Sequence, residues 1–143
     1  MPRLNYYEIA PEPINKLAGV TQYLSTSSLD PRLRALVEIR VSQINGCLYC
    51  IVTHTAEARK HGETQQRLDQ LPAWRESPLF DDKERAALAW AESLTHVSHT
   101  HAPDTDYEPL LEYFSEQEIV DLSVTVALMN AWNRISIGFR KLP

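Results

Sequence analysis

The spacing of apolar residues limits this chain more than any other feature. Through most of its length they recur at steps of three and four, as in Leu33, Leu36, Val37, Val41 and Ile44, while strand-like alternation bounded by turn residues is scarce. Such steps turn one face of a helix toward a core, so the expected fold class is all-α. Only 4 glycines punctuate the pattern. With 143 residues and 43% hydrophobic content, the chain can bury one core but hardly two, and a single domain over residues 1–143 is expected.

Cap and breaker residues divide it into elements. A first helix is expected over about Pro13 to Tyr23, ahead of the break Ser25-Thr26-Ser27-Ser28. Asp30-Pro31 supplies an N-cap and a proline at the first helical position, and Asn45-Gly46 ends the helix that follows. A third helix begins near Cys47 and runs to Gly62, after the basic Arg59, Lys60 and His61. Thr64 caps a short fourth helix before Pro72, and Asp81 opens a fifth that fades near Val97. The Pro103 segment reads as a loop, and a short helix follows Pro109 to Phe114. Ser115-Glu116-Gln117-Glu118 is then a capping box for a long apolar helix from Ile119 to about Ile137, expected to be central or buried at a subunit contact.

The totals exclude several functions. A formal net charge of -5 offers no basic stripe for nucleic acid. Neither a secretory apolar stretch nor a run of membrane-spanning length is present, so no membrane partner and a cytoplasmic location are expected.

The chemistry concentrates in Cys47-Leu48-Tyr49-Cys50-Ile51-Val52-Thr53-His54. On a helix, Cys47, Cys50 and His54 share an arc of roughly 60° over two turns. Unpaired N–H groups and the dipole at a helix start favour a thiolate, most of all at Cys47, and His54 stands one turn beyond Cys50 as a candidate base. Reversible disulfide chemistry follows naturally; with a peroxide, one thiolate would form a sulfenic acid and the other cysteine would resolve it. Two other readings exist. The same three residues could be zinc ligands, although no fourth stands at a suitable spacing, or they could be inert core residues. His96, His99 and His101 beside Asp104 and Asp106 read as a solvated helix end, and Trp74, Trp90 and Trp132 as core or interface anchors. No cofactor and no metal is expected.

The stretch Glu38-Ile39-Arg40-Val41-Ser42-Gln43-Ile44-Asn45-Gly46-Cys47-Leu48-Tyr49-Cys50 leading to His54 resembles the core of the carboxymuconolactone decarboxylase-like, AhpD-like family. The similarity continues through Glu84-Arg85-Ala86-Ala87-Leu88-Ala89-Trp90 and Asn130-Ala131-Trp132-Asn133-Arg134. The resemblance implies an all-helical subunit that assembles as a homotrimer or homohexamer. It also implies an alkylhydroperoxidase activity in which a dithiol, lipoyl-type or thioredoxin-type, re-reduces the protein.

In such members the second cysteine is often viewed as attacking the peroxide, helped by the histidine and a glutamate, whereas helix-end electrostatics alone would favour Cys47. The family's relay glutamate commonly occupies the place of Ala35 here. Glu38, one turn on, is the expected substitute, with Cys47, Cys50 and His54 completing the catalytic set. A decarboxylase of the kind that names the family is not expected to use a cysteine pair. A non-catalytic redox sensor or oligomeric scaffold is the alternative of another class.

Overall fold

The computed structural model describes all residues 1–143 and contains helices only. A turn α1 (Tyr6–Ile9) precedes α2 (Pro11–Leu24), α3 (Pro31–Asn45) and α4 (Leu48–Lys60). Then come α5 (Gln65–Gln70), a tight turn at Leu71–Ala73, and α6 (Asp82–Thr95). Three short helices, α7 (Val97–Thr100), α8 (Asp104–Tyr107) and α9 (Leu110–Tyr113), lead into α10 (Glu116–Gly138). No helix is long and apolar enough to cross a membrane.

The centre is α3, packed between α4, α6 and α10. Leu36, Val37, Ile39 and Val41 are almost completely buried on several of its sides, and full burial of such a side chain stabilises by roughly 1.5–3 kcal/mol. One apolar cluster joins Val37 and Val41 to Cys47, Cys50, Leu122, Val126 and Met129; a second joins Ala35, Leu36 and Ile39 to Ala58, Leu71 and Trp74. The expected capping signals are used. Asp30 accepts from the Arg32 N–H, and Ser115 and Glu118 complete a reciprocal box at the start of α10. Asp81 and Glu84 form a second such box on α6.

The differences from the expected elements have local causes. The residues before Pro13 are helical, because Pro11 and Pro13 both fall in a first turn, where a missing N–H costs nothing. The Pro103 loop contains α8, and the helix ending near Val97 continues as α7 after a break at His96. His101 and Ala102 then take left-handed backbone, which reverses the chain without a glycine.

α10 is apolar, as its composition implies, and packs against α3, α6, α2 and α4, with Val120 and Ile137 exposed on its outer side. Its polar residues are nevertheless structural. Asn45 donates to Asn130 and Asn133 at 2.9 Å, Asn133 donates to Ser42 at 3.1 Å, and Ser42 donates to the Glu38 carbonyl at 2.8 Å. This chain of amides ties the end of α3 to α10 immediately before the cysteines.

Candidate functional site

The junction of α3 and α4 places the cysteines. Gly46 has φ +70°, a conformation that only glycine adopts freely, and two hydrogen bonds close the end of α3: Gly46 N–H to the Gln43 carbonyl and Cys47 N–H to the Ser42 carbonyl. Cys47 is therefore fixed by its backbone to the preceding helix. It is the N-cap of α4 rather than a member of it, and its Sγ accepts from the Cys50 N–H at 3.4 Å. Cys47 and Cys50 are joined by a disulfide with their Cα atoms 5.3 Å apart. Neither sulfur is a free metal ligand in that state.

Cys50, Glu38 and His54 line one cavity of about 250 Å³. The rest of its wall is largely aromatic, with Tyr6, Tyr7, Tyr49 and Trp132. Trp74 and Trp90 are buried in the core, as expected, but Trp132 faces this cavity, and its indole N–H donates to Thr21. The aromatic residues near the N-terminus were not candidates from sequence. They reach the site because Arg3 and Tyr6 pack against the end of α10 through the Phe139 carbonyl and ring.

His54 Nδ1 lies 3.0 Å from Glu57 Oε2 and 3.7 Å from Glu38 Oε2, while Arg34 Nε stands 3.7 Å from the other Glu38 oxygen. Ionised carboxylates only accept, so Nδ1 carries the proton, and Nε2 is the nitrogen left to exchange protons with the cavity. Burial opposes charge on the imidazole. The Glu57 hydrogen bond and the two carboxylate charges outweigh it, and the His54 pKa is held above its ordinary value. Glu38 is pushed up, because burial outweighs the attraction of His54 and Arg34. Glu57 is held down, chiefly by its hydrogen bond to His54.

Glu57 was missed in the sequence, where it reads as an exposed helix charge. Its position three residues after His54 is the signal that could have found it. Ala35 sits elsewhere, 2% exposed in the apolar cluster with Leu36, Ile39 and Ala58. Glu38, not position 35, is the α3 residue that lines the cavity. Glu38, His54 and Glu57 are also the one set of acidic and histidine groups close enough together to share an ion. His96, His99 and His101 form no such set.

An all-helical domain with a Cys-x-x-Cys disulfide, whose second cysteine shares a cavity with a carboxylate-flanked histidine, is a dithiol protein of the AhpD-like type. The chain belongs to the carboxymuconolactone decarboxylase family, whose sequence profile matches residues 11–93. It is 43% identical over 136 residues to YdfG, an uncharacterized protein of Bacillus subtilis, across 95% of this chain and 92% of that one. The crystal structure of ATU0492 from Agrobacterium tumefaciens is of a protein of unknown function suggested to be the antioxidant defence protein AhpD. It matches with a TM-score of 0.96 and 37% identity, over 99% of this chain and 97% of its own. An uncharacterized peroxidase-related protein from a Silicibacter species matches with a TM-score of 0.85 and 27% identity, over 96% and 73% of the two chains.

Proposed function

We propose that this protein is a thiol-dependent peroxidase that reduces organic hydroperoxides, with Cys50 as the attacking thiol, Cys47 as the resolving one and His54 as the proton carrier. The observation that supports this most is the sharing of one aromatic-lined cavity by Cys50, His54 and Glu38. Imidazolium on His54 favours thiolate on Cys50, one turn away on the same helix. The Cys50 thiolate attacks the terminal peroxide oxygen, the O–O bond breaks, and the departing alkoxide takes the His54 proton, leaving a Cys50 sulfenic acid and an alcohol. The Cys47 thiolate attacks the Cys50 sulfur, a sulfur–sulfur bond forms, and hydroxide leaves as water after protonation. A dithiol of the lipoyl or thioredoxin type then returns the pair to thiols. The descriptions of the two solved relatives, antioxidant defence and peroxidase-related, favour this reading over ring decarboxylation.

Glu38 orients His54 and supplies negative charge, taking the part commonly played by a glutamate at position 35. The protein acts in the cytoplasm as a homotrimer or homohexamer. Consumption of cumene hydroperoxide in the presence of a dithiol tests the activity: turnover by the parent is expected, with at most a few per cent retained by Cys50→Ser. Equal consumption by the two proteins would mean that the dithiol only toggles, as in a sensor.

A further inference from the structure

The disulfide has two faces. Cys50 opens on the cavity with Glu38 and His54, whereas Cys47 lines a different groove of about 240 Å³, shared with Leu48, Ile137, Arg140, Lys141 and Leu142. Tyr49 and Ser136 belong to both walls and separate the two. Their charges differ, for the cavity sets Glu38 against the His54 imidazolium. The cavity carries Glu38 and neither lysine nor arginine; the groove carries Arg140 and Lys141 and no carboxylate. Lys141 is held in place by the Tyr7 and Tyr49 rings, 4.2 and 4.6 Å from its ammonium, and the turn after α10 carries Arg140 with left-handed backbone, φ +54°. Between these cations and Cys47 the exposed side chains of Leu48, Ile137 and Leu142 supply apolar surface.

We propose that the oxidised pair is reduced from this second face, by a small anionic thiol that docks against Arg140 and Lys141 and attacks the sulfur of Cys47. The proposal rests on the dithiol reading above, narrows its reductant from the two types named there to a small, lipoyl-like thiol, and specifies the side from which it arrives. Cys47 is only 1% exposed within this groove. A small thiol needs less clearance to reach so buried a sulfur than the rigid cysteine loop of a folded thioredoxin-like protein. The reductant thiolate bonds to Cys47 Sγ, the Cys47–Cys50 bond breaks, and its electron pair passes to Cys50, whose thiolate emerges beside His54. A second thiol then attacks the mixed disulfide, takes up the reductant sulfur and releases the Cys47 thiolate, which is protonated by water. Reduction on this face leaves the peroxide cavity unobstructed and delivers the thiolate where the next substrate binds.

The test follows disulfide reduction alone, without peroxide, so it is decided apart from peroxidase activity. Oxidised protein is mixed with mercaptopropionate or with its neutral amide, which share a skeleton and differ in one charge, and is quenched with iodoacetamide at intervals. The expected early product carries the mercaptan on Cys47 and the carbamidomethyl group on Cys50. At low salt the ratio of the anionic to the neutral rate should fall about threefold to fivefold in Arg140→Gln and be kept in Arg140→Lys, as one exposed charge allows. A mercaptan on Cys50, or a ratio unchanged by Arg140→Gln, overturns the proposal. So does a change of oligomeric mass in Arg140→Gln, which would make the groove a contact between copies of the chain.

Discussion

Glu38→Gln is expected to make this protein more stable and less reactive at once. The Glu38 and His54 side chains are 11% and 16% exposed and stand 3.7 Å apart. At that distance two unit charges attract by about 1 kcal/mol in water-like surroundings and by about 4 kcal/mol at an effective dielectric constant of ~20. Removing the carboxylate weakens imidazolium and, through it, the Cys50 thiolate; only part of the coupling is passed on. At about 1.4 kcal/mol per tenfold, alkylation of Cys50 at pH 7 should slow about threefold to tenfold.

Stability moves the other way. Burial raises the Glu38 pKa on folding, so between its ordinary and its raised value the folded chain binds more protons than the unfolded one. Stability therefore falls as pH rises through that window and stays reduced at neutral pH. Glutamine keeps the shape and removes this cost; a gain of about 1 kcal/mol would raise Tm by about 2–4 °C. Iodoacetamide rates against pH in the Cys47→Ser background, with thermal melts at pH 5 and pH 8, measure both. The gain in Tm should be larger at pH 8. An unchanged alkylation profile together with a lower Tm would refute the reasoning and make Glu38 a structural ion-pair partner of Arg34.

Other substitutions probe separate links. Asn133→Ala takes one partner from the half-buried Asn45 and one from the fully buried Ser42 and should cost about 1–3 kcal/mol in urea unfolding; a loss under 0.5 kcal/mol would show that the amide chain does not hold α3 to α10. Ala35→Glu puts a carboxylate into the cluster of Leu36, Ile39 and Ala58 and should lower Tm without raising peroxide turnover, whereas a large gain in turnover would show that position 35 reaches His54 after all. Glu57 is half exposed where it meets His54, so Glu57→Gln should shift the Cys50 alkylation profile less than Glu38→Gln does, and the difference from the parent should shrink in high salt. Light scattering at micromolar concentration should return a trimer or hexamer mass, and a monomer mass would contradict that assembly.

The sequence made the helical architecture legible because its caps are local. Asp30, Thr64, Asp81 and Ser115 each bond within three residues of themselves, and such contacts depend little on the rest of the fold. Cys50 and His54 were legible for the same reason, since a four-residue step sets them on one side of α4, whereas Cys47 is its N-cap and lies outside their cavity. Three features of the site were not. The separation of Ala35 from Glu38, which share an arc in projection, is decided by how α3 sits between two apolar clusters, a property of packing. The aromatic wall depends on Arg3 and Tyr6 meeting Phe139, more than 130 residues away along the chain. Likewise the opening of Cys47 and Cys50 on different faces requires the end of α10 to pass beside the start of α4, and nothing in the spacing of the two cysteines announces it.

The assignment of Cys50 to peroxide attack is decided by trapping. In the Cys47→Ser protein no resolving thiol remains, so one equivalent of cumene hydroperoxide should convert Cys50 to a sulfenic acid that dimedone captures. Peptide mass mapping should place the adduct on Cys50 in most of the molecules, and His54→Ala in the same background should form it at least several-fold more slowly at pH 7. The Cys50→Ser protein, with Cys47 alone, should yield almost none. An adduct that forms on Cys47 and not on Cys50, or a Cys50 thiol still free to alkylate after the peroxide, would contradict the peroxidase mechanism argued from this cavity.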